Sequence, residues 1–103
     1  MLTLPIKKKW FDMIARGEKL EEYRDITPYY IGRFQKALGG DLAKASLDGR
    51  RRVIRFRNGY MPNSPLMEAV VSLRFGTGRP EWGAAPGREY IVLRIWETKR
   101  VNQ

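Results

Sequence analysis

The sequence predicts a small α+β domain, a partly closed β-barrel of about five strands with two helices in its N-terminal half. Three observations carry this. Apolar residues recur at helical spacing twice before residue 40, while β-branched and aromatic segments with strand patterning gather after residue 52. The chain of 103 residues is long enough for one compact core and too short for two, so residues 1–103 form a single domain.

Leu2, Leu4 and Ile6 alternate with Thr3 and Pro5, which reads as a short strand whose proline suits an edge or an end. From Lys7 to Arg16 the residues Trp10, Phe11, Met13 and Ile14 follow helical spacing. Gly17 stands where a helix C-terminus favours glycine, and Trp10 and Phe11 are assigned to the core. KLEEYRD then alternates with period two, with Leu20, Glu22 and Arg24 on one face and Lys19, Glu21 and Tyr23 on the other. Thr27-Pro28 offers a capping hydroxyl and a proline at the first helical position. The apolar stripe Tyr30, Ile31, Phe34 and Leu38 follows and ends at Gly39-Gly40.

GGDLAKASLDGRRR reads as a surface loop with a helical turn around Leu42 to Leu47. Residues 53–60, VIRFRNGY, read as a strand entering an Asn-Gly turn. A proline-marked loop follows, then strands over 66–75 and 89–98 joined by the glycine- and proline-rich loop 76–88.

Twenty Lys+Arg against eleven Asp+Glu give a formal net charge of +9, which on so small a domain points to a phosphate-rich partner. With no His and no Cys, the chain builds neither a Ser-His-Asp nor a Cys-His nucleophile pair, and no thiolate or imidazole zinc site. Any catalysis falls to Lys, Asp/Glu, Tyr, Ser, Thr and backbone groups. No metal and no cofactor is expected. No apolar run approaches the roughly 18 residues of a membrane span, and MLTLPIKKKW lacks the features of a signal peptide. The expectation is a cytoplasmic protein that does not engage a membrane.

Three constellations stand out. Lys19, Glu22 and Arg24 combine a cation, a carboxylate and a phosphate-gripping guanidinium, which suits either a pocket edge or a solvated salt-bridge array. Strict alternation separates Lys19 from Glu22, so a shared pocket requires Lys19 to sit at an irregular start of the strand. Arg51, Arg55 and Arg57 share one side of their strand beside Val53, as a phosphate-tracking stripe or a basic edge that resists aggregation. Tyr60 and the Glu81-Trp82 pair supply an aromatic ring, a carboxylate and an indole able to close over a base.

Taken in order, Ile6-Lys7 leading into the Trp10-Phe11 helix, Gly17-x-Lys19-x-x-Glu22-x-Arg24, RNGY (57–60) and PEWGAAPG-x-x-Tyr90 form a pattern that spans nearly the whole chain. It resembles the activating signal cointegrator homology (ASCH) family, and looks closest to its short, stand-alone bacterial and phage-type members. The resemblance implies a fold like that of pseudouridine synthase and archaeosine transglycosylase (PUA) domains, with a cleft for RNA or a modified nucleoside. Family members are proposed as RNA-binding modules, some are reported ribonucleases, and one branch hydrolyses acetylcytidine.

In that branch the motif lysine, the residue three after it and a glutamate on a later strand form the catalytic group. Lys19 matches the lysine; Glu22 stands where that branch has threonine, and Glu68 is the nearest candidate for the glutamate. A carboxylate can serve as base or ion-pair partner but does not replace a hydroxyl. The leading expectation is therefore a domain that binds RNA, a nucleotide or a modified nucleoside. A metal-independent amidohydrolase or ribonuclease, and a protein-interaction module, are the alternatives. Lys19, Glu22 and Glu68 are the candidate catalytic residues, Arg24, Tyr60, Glu81 and Trp82 the candidate ligand contacts, and Arg51, Arg55 and Arg57 the candidate nucleic-acid contacts.

Overall fold

The computed structural model describes residues 1–101. Along the chain lie β1 (Thr3–Ile6), α1 (Lys8–Ala15), β2 (Glu21–Asp25), α2 (Pro28–Leu38), α3 (Leu42–Asp48), β3 (Arg52–Asn58), β4 (Leu66–Thr77), a 3-10 turn (Pro80–Trp82) and β5 (Glu89–Val101). The five strands form one curled, half-barrel sheet in the order β1-β3-β4-β5-β2. β1 runs parallel to β3, and every other pairing is antiparallel.

Local chemistry sets the element ends. Thr27 accepts a hydrogen bond from the Tyr30 amide at 3.2 Å and Pro28 opens α2, as the sequence indicates. Where the sequence reads as a loop with a helical turn around Leu42 to Leu47, the chain forms a full third helix, α3. Asp41 caps it by accepting from the amides of Ala43 (3.0 Å) and Lys44 (3.2 Å), and its buried Leu42 and Ala45 anchor it to the domain.

One face of the sheet holds the core. Leu4, Ile54, Phe56, Val71, Ile91 and Leu93 pack there against Phe11 and Ile14 of α1 and Phe34 of α2. A smaller cluster of Tyr23, Ala84, Tyr90 and Val92, with Trp82 against it, packs separately. Tyr23 opposes Val92 in the β2–β5 ladder, so the two lie on one face, whereas Glu22 and Arg24 oppose the core residues Leu93 and Ile91. Two side chains of the site strand thus point towards the core side of the sheet.

The β4–β5 pairing shifts register between Val70 and Val71. Val70 faces Glu97 and Val71 faces Ile95, so Trp96 is the extra residue of a β-bulge. The two outermost strands meet through a side chain, because Arg24 on β2 donates from Nη2 to the carbonyl of Pro5 on β1 at 2.8 Å. Among the described residues no helix is long and apolar enough to cross a membrane.

Candidate functional site: a buried charge bridge beneath aromatic walls

The chain leaves α1 through a turn in which the amides of Glu18 and Lys19 both donate to the Met13 carbonyl, at 2.9 and 3.2 Å. Lys19 therefore lies in the connection before β2 and escapes the strand's alternation. Its ammonium reaches Glu22 Oε1 at 3.2 Å and donates to the Trp82 carbonyl at 2.5 Å. The rings of Trp10 and Tyr23 each lie 4.9 Å from Nζ by their centroids, so aromatic faces occupy much of the remaining surface of the cation. The residue is 0% exposed.

Glu22, 5% exposed, bridges two cations, Lys19 through Oε1 and Arg24 through Oε2. Arg24 also donates to the carbonyls of Tyr23 and Pro5, each at 2.8 Å, and its guanidinium carbon lies 5.9 Å from the Tyr30 ring centroid. Buried charge is tolerable only when paired and hydrogen-bonded, and all three groups meet that condition. The cluster holds two cations and one carboxylate, a net positive charge, with Lys19 sealed from solvent and only Glu22 and Arg24 reaching its open side. Burial pushes the Lys19 ammonium below the usual lysine range. Attraction to Glu22 opposes that shift, and repulsion from Arg24 adds to it.

Above the bridge lies an open cavity of about 270 Å³. Lys7, Glu22, Arg24 and Asp25 contribute its charged lining, with Lys19 buried outside it, and the rings of Trp10, Tyr23, Tyr30, Tyr60, Trp82 and Tyr90 supply aromatic surface. The loop that carries Trp82 is tied down at several points. The Tyr23 hydroxyl accepts from the Arg79 amide at 2.9 Å and donates to Glu21 at 2.8 Å, and the Tyr90 hydroxyl accepts from the Ala85 amide at 2.9 Å. Burial, assisted by Glu21, raises the Tyr23 pKa well above the usual range, so its hydroxyl stays protonated.

Two glycines let this loop close. A Cβ on Gly78 would stand 2.3 Å from the Tyr23 ring, and one on Gly83, at φ +102°, would stand 3.1 Å from Trp10.

Several residues singled out from the sequence meet here. Lys19, Glu22 and Arg24 join in one cluster, Trp82 forms part of the wall, and Tyr60 stands at the margin with 86% exposure. Glu81 is exposed and lies outside the cavity lining. Glu68 also lies outside it, opposite Arg55 on β3 and Lys99 on β5. Arg55 and Arg57 lie on β3, and Arg51 just before it, none of them lining the cavity.

Trp10, assigned to the core from the sequence, is partly exposed in the cavity, while its neighbour Phe11 is fully buried. Adjacent helical residues point about 100° apart, which separates the two roles. Tyr30 and Tyr90 also line the cavity without being among the candidate site residues: Tyr30 enters the sequence reading only through the helical stripe, and Tyr90 only through the PEWGAAPG-x-x-Tyr90 pattern. Among the described residues no group of three or more acidic side chains is placed to hold a metal ion.

No protein-family model matches the chain, and no solved structure matches it. The chain is similar to glutamate 2,3-aminomutase of Clostridioides difficile (strain 630), with 25% identity over 96 residues. That alignment takes in 89% of this chain but 22% of the mutase, so the chain spans about a fifth of the length of the relative it matches.

Proposed function

We propose that this chain is an ASCH-type domain with a PUA-like fold that binds RNA, a nucleotide or a modified nucleoside, taking one base into the cavity. The observation that carries this reading is the buried Lys19–Glu22–Arg24 bridge beneath an aromatic-walled opening. Flat side chains offer a base its stacking surface, and the charged floor offers polar partners for its edge or for an attached anionic group. A volume of about 270 Å³ suits a single nucleoside-sized group, being just below the roughly 300 Å³ at which drug-sized pockets begin. The motif order across the chain and the +9 charge support the same reading. The match to the aminomutase covers too little of that protein to favour its activity here.

Tryptophan emission provides the test, since Trp10 and Trp82 both line the cavity. Nucleosides and nucleotides are titrated into the wild-type protein and into Trp82→Phe and Arg24→Gln variants. Saturable quenching that weakens at least threefold in Arg24→Gln supports the proposal. Absence of a saturable response to any nucleobase ligand refutes it.

A second reading, metal-independent hydrolysis of RNA or a modified nucleoside, is favoured by the desolvated Lys19 ammonium against Glu22. A lysine with a depressed pKa can serve as base or nucleophile. Its Nζ is capped by the Trp82 carbonyl, so this chemistry requires the 78–88 loop to lift. This reading does not draw on Glu68, which lies opposite Arg55 on β3 and Lys99 on β5 and makes no ion pair with the Lys19–Glu22–Arg24 cluster. Acetylcytidine turnover lost in Lys19→Ala and retained in Glu68→Gln would support this reading, and no turnover by the wild type would remove it.

A further inference from the structure

We infer that the surface around Trp96 is a second nucleic-acid site, which holds the backbone and one stacked base of a single-stranded polynucleotide. The bulge in β5 makes Trp96 the extra residue of its strand, and the indole is 43% exposed. Its Nε1 donates to Ser72 Oγ at 2.9 Å, which fixes the ring's orientation. The Arg51 guanidinium lies 3.9 Å from the ring centroid and that of Arg94 lies 4.9 Å from it. Beside the ring is an open hollow of about 460 Å³ lined by Glu21, Ser72, Leu73, Arg74, Arg94 and Trp96 itself, with the Glu21 carboxylate taken up by Arg74. It shares no lining residue with the aromatic-walled cavity.

Charge identifies the occupant. Among the described residues Arg51, Arg55, Arg57 and Arg94 have no carboxylate partner within ion-pair distance. The Nε groups of Arg55, Arg57 and Arg94 are buried and make no hydrogen bond. Leaving a guanidinium N–H buried and unpaired is costly, and an anionic chain that approaches these side chains relieves the cost as they turn to meet it. Arg55 and Arg57 are two residues apart on β3 and face the same way as the exposed Val53, which separates them from Arg51, with Glu68 opposite Arg55 across the strand pair, so they form a second, flanking group of cations on this face. A base stacks on the indole in exchange for Arg51, which then grips an adjoining phosphate. Arg74, already paired with Glu21 at 3.0 Å, bounds the hollow.

The inference goes beyond the cavity reading and does not depend on it. Its test uses the whole chain and a fluorescein-labelled 12-nucleotide oligouridylate, with the matching oligodeoxyuridylate as a second arm. Anisotropy is recorded between about 50 and 200 mM salt. Arg51→Gln and Arg94→Gln are each expected to weaken binding about 3- to 10-fold, and the double variant to flatten the logarithmic salt slope by about 0.7 for each phosphate no longer neutralised. Trp96→Leu is expected to weaken binding at every salt concentration without flattening the slope, because stacking releases no counterion.

Circular dichroism confirms folding, and the milder Trp96→Phe stands in if Trp96→Leu fails to fold. Binding of either strand with these losses supports the site, and unequal affinity for the two arms defines its sugar preference. No oligonucleotide binding, or binding unchanged in Arg51→Gln/Arg94→Gln, overturns it. Arg24→Gln separates the two proposals. Nucleoside quenching lost in that variant, with the arginine dependence of oligonucleotide binding intact, confines Arg24 to the cavity and leaves the Trp96 site standing. Nucleoside quenching by the wild type without oligonucleotide binding upholds the cavity and refutes the Trp96 site.

Discussion

Replacing Glu22 by Gln removes the carboxylate that joins Lys19 to Arg24 and keeps the side chain's size. The amide oxygen of the glutamine can accept from Lys19 or from Arg24 but not from both, it carries no charge, and its amide nitrogen turns a donor towards the other cation; besides it Lys19 retains the Trp82 carbonyl and Arg24 the carbonyls of Tyr23 and Pro5. Stranding one partner of a buried pair costs about 3–5 kcal/mol. Lys19 has an escape, because it can give up its proton. For an ordinary lysine at pH 7 that costs about 4.6 kcal/mol, which caps its share of the loss. The expected destabilisation at pH 7 is therefore about 3–4 kcal/mol.

The sign with pH follows from proton counting. Lys19 binds protons less readily folded than unfolded, so the unfolded chain holds more protons in the window between its two pKa values, and stability rises with pH there. Loss of Glu22 lowers the folded value further and widens that window downwards. The deficit of Glu22→Gln relative to wild type should therefore shrink between pH 7 and pH 10, by no more than about 1.4 kcal/mol per pH unit. Urea titrations followed by tryptophan emission at pH 7, 8, 9 and 10 measure it. A deficit below about 1 kcal/mol at pH 7, or one independent of pH, refutes the argument that an obligatory buried charge bridge exists.

Three further substitutions probe the scaffold of the site. Gly78→Ala drives a methyl group into the Tyr23 ring, and should cost about 1–3 kcal/mol in urea titrations while weakening nucleoside quenching, since the loop must lift. Tyr23→Phe removes the acceptor of the Arg79 amide; a loss of about 1–2 kcal/mol is expected, with faster hydrogen exchange at Arg79 than at the core amides of β4. Thr27→Ala deletes the cap of α2 and should cost about 1 kcal/mol with no change in nucleoside quenching.

Much of the fold was legible because its signals are local. Thr27-Pro28, Gly17 and the alternation after residue 20 depend only on neighbouring residues, and each marks an element boundary close to the observed one. The cluster was legible in part. Lys19 and Glu22 meet because Lys19 precedes β2, a condition that alternation could state but not decide. Glu68 illustrates the opposite case: its position depends on the register of β4 between β3 and β5, which no local pattern encodes. Trp10 was misread because an apolar residue at helical spacing is indistinguishable from core until the cavity beside it is known. The bulge at Trp96 stayed hidden for a related reason, since an extra residue is defined only by the partner strand.

The strand order has a consequence for how the site comes into being. β2 carries Glu22 and Arg24, yet its one neighbour in the sheet is β5, the strand that follows all the others along the chain. While the polypeptide is being synthesised, β2 emerges long before the strand it must pair with. Its two charged side chains stay hydrated during that interval, and neither the Trp82 carbonyl nor the Tyr90 hydroxyl is yet available to complete the pocket. Pairing across this separation carries the entropy of closing a long loop and belongs to the slow, non-local part of folding. Desolvation of Lys19 is thus deferred to the joining of β5, and a nascent chain that lacks this strand presents a hydrated cationic segment in place of a binding cavity.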